Sequence, residues 1–92
     1  MTYQTEFPDF VLDVDLPPGA VDTSWRNDSC PRFEYQTAGV FLFVDYANPE
    51  DREFPDAPRF SVHDARSDHV EVLLDTDDIG AVRAFIVERE GR

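Results

Sequence analysis

The chain has 92 residues, 41% of them apolar, and its 20 aspartates and glutamates against 8 arginines give a net charge of −12. This length predicts a single acidic globular domain over residues 1–92, and an aromatic content of 13% excludes a disordered acidic tail. Phosphates would repel such a surface, which argues against direct binding to nucleic acid or to an anionic membrane. The single cysteine excludes an internal disulfide, and no apolar run approaches the about 20 residues of a membrane span, so we expect a cytoplasmic protein.

The N-terminal third of the chain predicts one strand between irregular segments. Residues 1–9 are expected to be a loose lead-in. Residues 10–16 alternate between apolar side chains and Val11, Asp13 and Asp15, which predicts a half-buried strand that ends at Pro17-Pro18-Gly19. Residues 20–31 show no regular pattern, and Trp25 is expected to reach into the core.

The middle of the chain predicts an antiparallel hairpin followed by a long loop. Its two strands cover residues 32–37 and Val40–Tyr46, with Ala38-Gly39 as the link. The second strand is apolar throughout, which is typical of a central strand covered on both faces. The loop from Ala47 to Pro58 contains three prolines and is rich in acids.

A second hairpin is predicted from two strands, Phe60–Asp64 and Asp68–Asp75, joined by residues 65–67. In the register set by this loop, one side of the hairpin is apolar and the other is polar. The predicted cross-strand pairs are Val62 with Val70, Phe60 with Val72, His63 with His69, and Ser61 with Glu71.

Residues 77–90 fit a C-terminal helix better than an edge strand. Thr76 is predicted as the cap, with Asp77 and Asp78 at the positive end of the helix dipole and Gly91 as the terminator. Alternation of apolar side chains at residues 82, 84 and 86 leaves the edge strand as the alternative. The sequence therefore predicts an α+β fold: an antiparallel sheet of about five strands with a C-terminal helix.

No residue pattern indicates catalysis, a metal or a cofactor. Cys30 is the one thiol, and as a nucleophile it would need a histidine beside it, which no local motif supplies. Two histidines with Glu71 fall short of a zinc site. The run from Asp75 to Gly80 resembles the start of a calcium loop but lacks the glutamate that such a loop has at position twelve. We therefore expect a protein that is not an enzyme.

The acids fall into three segments, residues 6–22, 45–56 and 64–78, which hold most of the negative charge of the chain. A cluster of carboxylates on one face would resemble a nucleic-acid segment to a positively charged groove. The residues expected to form a partner-binding acidic surface are Asp13, Asp15, Asp45, Glu50, Asp51, Glu53, Asp64, Asp68, Glu71, Asp75, Asp77 and Asp78.

These features favour a small inhibitory binding protein that acts as a nucleic-acid-mimicking decoy against a basic protein or nucleic-acid-binding complex. In size and charge the chain resembles the phage-borne anti-CRISPR and anti-restriction proteins, which share no common motif. One alternative is an immunity protein or antitoxin against a basic nuclease toxin. The other is a salt-adapted small domain whose charge has no specific partner, since net charge by itself reports on solubility.

Overall fold

The fold is built on an antiparallel sheet. The computed structural model describes residues 2–67 and 71–91, and in this part of the chain the sheet has five strands that lie side by side in chain order. A short helix, α1, precedes the sheet and a 12-residue helix, α2, follows it, which confirms the predicted α+β class. The elements are α1 (Tyr3–Glu6), β1 (Val21–Asp22), β2 (Arg32–Tyr35), β3 (Val40–Val44), β4 (Phe60–Asp64), β5 (Val72–Thr76) and α2 (Ile79–Glu90).

One face of this sheet forms the core together with α2. Alternate residues of the central strand β3, namely Val40, Leu42 and Val44, are completely buried. Val82 and Ile86 of α2 are buried in the same cluster. Each such aliphatic side chain contributes about 1.5–3 kcal/mol when it leaves water, so this face supplies much of the stability of the domain.

The segment 10–16, predicted as a strand, has no regular secondary structure, bends at Val14 and is not part of the sheet. Phe10 is buried and Leu12, Val14 and Leu16 pack against the core, while Val11 and the two acids between them face solvent. The predicted alternation is therefore present without the hydrogen-bond ladder. A segment that covers a core with every second side chain produces the same sequence pattern as a paired strand.

The residues on either side of this segment also differ from expectation. The lead-in contains helix α1, which is held where the backbone N–H of Tyr3 donates to Asp22 Oδ2 at 2.7 Å. Residues 21–22 form the edge strand β1 within a stretch predicted to be irregular. Trp25, expected in the core, is 49% exposed. A large aromatic side chain in an irregular loop does not by itself indicate burial, because the backbone sets its direction.

The first hairpin forms as predicted, and its second strand is central in the sheet. In β2 and β3, Tyr35 pairs with Val40 across the turn at Ala38-Gly39. The prediction that β3 is covered on both faces is wrong, because Phe41 and Phe43 on its outer face are only half-buried.

The second hairpin has a different register from the predicted one. Phe60 lies opposite Thr76, Ser61 opposite Asp75 and Val62 opposite Leu74. The predicted pairs of Phe60 with Val72, Ser61 with Glu71 and Val62 with Val70 are therefore wrong. An irregularity between Val62 and His63 then places His63 opposite Val72. The predicted partner His69 lies outside the described residues. At Val62 the register differs from the predicted one by four residues, and an even shift keeps an apolar side chain opposite Val62, so the alternation does not distinguish the registers there. Val72, predicted on the apolar side, is instead 49% exposed.

The C-terminal segment is a helix, as favoured over an edge strand, but its cap is two residues later than predicted. Asp78 Oδ1 accepts a hydrogen bond from the backbone N–H of Gly80 at 2.8 Å, so Asp78 and not Thr76 is the N-cap. Thr76 instead accepts from the backbone N–H of Asp78 at 3.0 Å. Gly91 ends the helix as predicted.

Replacing Tyr35 with phenylalanine should lower the free energy of unfolding by about 1 kcal/mol, because it removes one buried hydrogen bond. The hydroxyl of Tyr35 donates to the carbonyl oxygen of Pro17 at 2.9 Å and ties the proline turn to the sheet. Urea unfolding measures the effect. Tyr3→Phe is the matched control, since it keeps this bond, and equal stability of the Tyr35→Phe and wild-type proteins would contradict the assignment.

Candidate partner-binding surface

The arginines of this chain bind backbone carbonyl groups more often than they bind acids. Six of the seven arginines in residues 2–67 and 71–91 donate to a carbonyl oxygen, at distances between 2.7 and 3.4 Å: Arg32, Arg52, Arg59, Arg66, Arg83 and Arg89. Ion pairs between described residues join Arg26 with Glu6 and Arg59 with Asp13. The positive charges therefore hold loops in place and neutralise few of the carboxylates.

Arg59 joins the three acidic segments at one end of the sheet. Its guanidinium pairs with Asp13 and donates from Nε to the carbonyl of Asp45 at 3.1 Å. Its backbone N–H donates to Asp77 Oδ1 at 2.8 Å. The hydrogen bond from Arg59 also lowers the pKa of Asp13 below its ordinary value. Asp13, Asp45 and Asp77 come from different acidic segments, so these segments meet here.

Residues 47–58, here called the acidic loop, present carboxylates on a fixed backbone. Arg52 donates to the carbonyl oxygens of Tyr46, Ala47 and Ala57 at 2.7, 3.3 and 3.0 Å. Asn48 caps a short 3₁₀ turn, Pro49–Asp51, by accepting from the backbone N–H of Glu50 at 3.0 Å. Four exposed acids lie on this loop, and their carboxylates form no hydrogen bond or ion pair with the described residues: Glu50, Asp51, Glu53 and Asp56.

Surface cavities lie on both sides of the acidic loop. One, of about 220 Å³, brings Asp51 together with Asp9 and Asp13 of the N-terminal segment. The other, here called the outer cavity, has about 290 Å³ and contains Asp45 and Asp75 beneath Phe54 of the loop. The acidic loop therefore lies between carboxylates of the other two segments.

The remaining acids of the predicted surface lie elsewhere or have structural contacts. Asp64 is at the opposite end of β4, where it accepts from the backbone N–H of Arg66 at 2.8 Å, and Glu71 lies beside it. Asp15 lies next to α2, where its carbonyl accepts from Arg83. Asp78 is the helix cap. Asp68 is outside the described residues.

Sequence reasoning missed two residues of this surface, Phe54 and Arg59. Phe54 is 67% exposed at the tip of a loop rich in proline and acids. The sequence does show a lone aromatic residue in such a loop, and this could have indicated that Phe54 belongs to a binding surface. The role of Arg59 had no signal, because its three contacts come from segments that are far apart in the sequence.

Cys30 and His63 both line the outer cavity. Catalysis by the thiol would require a histidine in the same site as the cysteine. Burial, followed by the charge of Asp45, raises the pKa of Cys30 to about 12, so the thiol is protonated at neutral pH and is a poor nucleophile. His63 Nε2 lies 2.7 Å from Ser61 Oγ. In the described part of the chain no three histidine, cysteine or acidic side chains are grouped to hold a metal ion.

Comparison with protein-family models, with curated protein sequences and with solved structures finds no match to this chain. Within residues 2–67 and 71–91, no helix is long and apolar enough to cross a bilayer. The functional argument therefore depends on the geometry of the surface.

The pKa of His63 should lie below 6.5, because burial disfavours the imidazolium more strongly than the nearby Asp75 favours it. Asp75→Asn should lower this pKa further, since it removes the charge that opposes the effect of burial. NMR titration of the ring protons measures both values, with the His69 signal assigned from a His69→Gln variant. Glu71→Gln is the control, and a rise in the pKa of His63 on Asp75→Asn would contradict the geometry.

Proposed function

We propose that this protein is a small cytoplasmic inhibitor that binds a basic protein or nucleic-acid-binding complex and occupies the place of DNA or RNA. The observation that carries the proposal is the acidic loop. Its four carboxylates are exposed on a backbone that Arg52 holds in place, between further carboxylates of the other acidic segments.

A fixed array of unpaired carboxylates suits a basic partner for two reasons. Its field steers a positively charged surface during encounter and raises the association rate. A loop that is already ordered also avoids the entropy cost of ordering on binding. Were the carboxylates of the loop paired with arginines of the same chain, the steering field would be weakened, and Arg52, the arginine within the loop, donates to carbonyl oxygens instead.

The size of the molecule suits the mimicry of a short duplex. Its longest extent is 36 Å. A duplex of that length carries about 21 phosphates, at one per roughly 1.7 Å. The chain has 20 acids, a similar number, although some of them have structural contacts. The exposed ring of Phe54 adds an apolar anchor within the charged surface, which is the kind of residue that dominates the binding energy of many interfaces.

Reversal of the loop charges should weaken binding to a basic partner. The variant Glu50→Lys/Asp51→Lys/Glu53→Lys changes exposed side chains that form no hydrogen bond or ion pair with the described residues, so the fold should persist. We expect about a tenfold or greater loss of affinity and a shallower salt dependence, because charge pairs across the interface are removed. The partner is captured from host lysate at low salt and eluted with rising salt, and affinities are then measured with the purified partner.

The matched control reverses three acids outside the loop, Glu34→Lys/Glu71→Lys/Glu90→Lys, which makes the same change in net charge. Reversal of Asp13 is avoided, because that residue pairs with Arg59. Equal loss in both triple variants, or no loss in either, would contradict a loop-directed surface. A captured nuclease toxin would assign the protein to the immunity or antitoxin class, and the absence of a salt-eluted partner would favour the salt-adapted domain.

Moderate salt should raise the melting temperature, because ions screen the repulsion among carboxylates that have no neutralising partner. The gain should be nearly complete by about 0.2 M salt, where the screening length is below 10 Å. Calorimetry across a salt series measures it, with Glu50→Gln/Asp51→Asn/Glu53→Gln expected to show a smaller gain. Continued gains into molar salt would instead support the salt-adapted domain.

A further inference from the structure

The outer cavity lies on the face of the sheet opposite the core and has aromatic walls. Across the strands, Arg32, Phe43, Ser61 and Asp75 form one row of neighbours on this face. The ring of Phe43 lies against the ring of His63, with centroids 4.8 Å apart. Phe54 reaches the same cavity from the acidic loop. Two phenylalanines from different elements thus border one opening.

The charges that line this cavity are negative on balance. Asp45 and Asp75 contribute carboxylates. Among the described residues of the lining, Arg59 is the one arginine, and it is paired with Asp13 and bonded to the carbonyl of Asp45. The pKa of His63 is below its ordinary value, so the imidazole is neutral at pH 7.

The carboxylate of Asp45 is also partly desolvated. Burial is the largest effect on its pKa and raises it, although the backbone N–H of Tyr46 donates to Oδ1 at 2.9 Å. A partly buried carboxylate gains more from an approaching cation than one surrounded by water, because the local dielectric constant is lower. The cavity therefore favours a positively charged occupant.

The shape and the walls favour a planar cation. A volume of about 290 Å³ lies at the lower limit of small-molecule sites and fits one long side chain. A guanidinium stacks on aromatic rings and binds carboxylates with a planar fork of donors, whereas an ammonium does neither as well. The same face of the sheet already contains this arrangement, since the guanidinium of Arg32 lies 4.6 Å from the centroid of Phe41.

We propose that the outer cavity binds one arginine side chain of the basic partner, with the guanidinium between Phe43 and Phe54 and paired with Asp45 and Asp75. This assignment rests on the proposed function and specifies the anchor of the interface. The acidic loop supplies attraction over distance, and the outer cavity supplies the contact that recognises one residue.

The test uses two blocked tripeptides, acetyl-Gly-Arg-Gly-amide and acetyl-Gly-Lys-Gly-amide, titrated into the isotope-labelled protein. One cation per peptide avoids the diffuse attraction that a polybasic peptide has for the acidic loop. We expect the arginine peptide to bind about fivefold more tightly than the lysine peptide. The chemical-shift changes that the arginine peptide causes should be concentrated at the backbone amides of Phe43, Asp45, Phe54, His63 and Asp75.

Matched variants separate the cavity from its surroundings. Asp75→Asn should weaken binding of the arginine peptide about fivefold, while Glu71→Gln, which removes one exposed charge just before the same strand, should change it less than twofold. Phe54→Ala should weaken it similarly, with Trp25→Ala, another exposed aromatic side chain, as the control. The unchanged part of the spectrum verifies the fold of each variant.

Equal affinity for the two peptides, shifts spread over the acidic loop, or equal effects of Asp75→Asn and Glu71→Gln would overturn the assignment. The outcome is separable from that of the proposed function. Peptide binding in the cavity without a captured basic partner would refute the inhibitor and retain the arginine site. A captured partner that is sensitive to the loop reversals but insensitive to Phe54→Ala and Asp75→Asn would do the opposite.

Discussion

The guanidinium of Arg59 is the contact on which the arrangement of this surface depends. It pairs with Asp13 of the segment 10–16 and bonds to the carbonyl of Asp45 at the end of β3. The backbone of the same residue bonds to Asp77 at the end of β5. The ladders of β4 with β3 and β5 bring the ends of these two strands together, and without the contacts of Arg59 the carboxylates that meet there would have no cation between them. One positive charge placed among them makes this approach favourable and leaves the adjacent acidic loop free to present its own carboxylates.

The acids of this chain divide into two groups by their contacts. Asp22, Asp64, Asp77 and Asp78 accept hydrogen bonds from backbone N–H groups and fix turns or the start of α2. The carboxylates of the acidic loop have no such contact with the described residues. Carboxylates that bind backbone donors stabilise the fold whatever the partner, since these bonds are among the stronger hydrogen bonds in proteins. The net charge of the chain therefore overstates the charge available for binding, and the loop carries four of the carboxylates that are available.

The sequence predicts the elements of this fold better than their pairing. The spacing of the apolar residues, together with the turn residues, predicts β2, β3, β4 and α2 close to their observed positions. Burial of one face of a strand or helix requires apolar side chains at regular intervals, and these intervals are visible in the sequence. The same kind of spacing predicts a strand wrongly at residues 10–16, where alternate side chains pack against the core without strand pairing. Three separated acidic segments could be listed from the sequence, and the prediction that they form one binding surface stays a prediction. Their meeting at Arg59 could not be foreseen, because it depends on side-chain contacts between residues up to 46 positions apart.

The register of the second hairpin decides which acid reaches the outer cavity. In the predicted register Glu71 would lie opposite Ser61, whereas Asp75 occupies that place in the structure. Both residues are acidic, and each register places an apolar side chain opposite Val62, Val70 in the predicted one and Leu74 in the observed one. The difference is in the surroundings: Asp75 lies in the row of Phe43, under the acidic loop, and Glu71 lies near Asp64 at the far end of the strand. The register thus decides the chemistry of the outer face. For this reason the pair Asp75 and Glu71 distinguishes a built cavity from a general excess of negative charge.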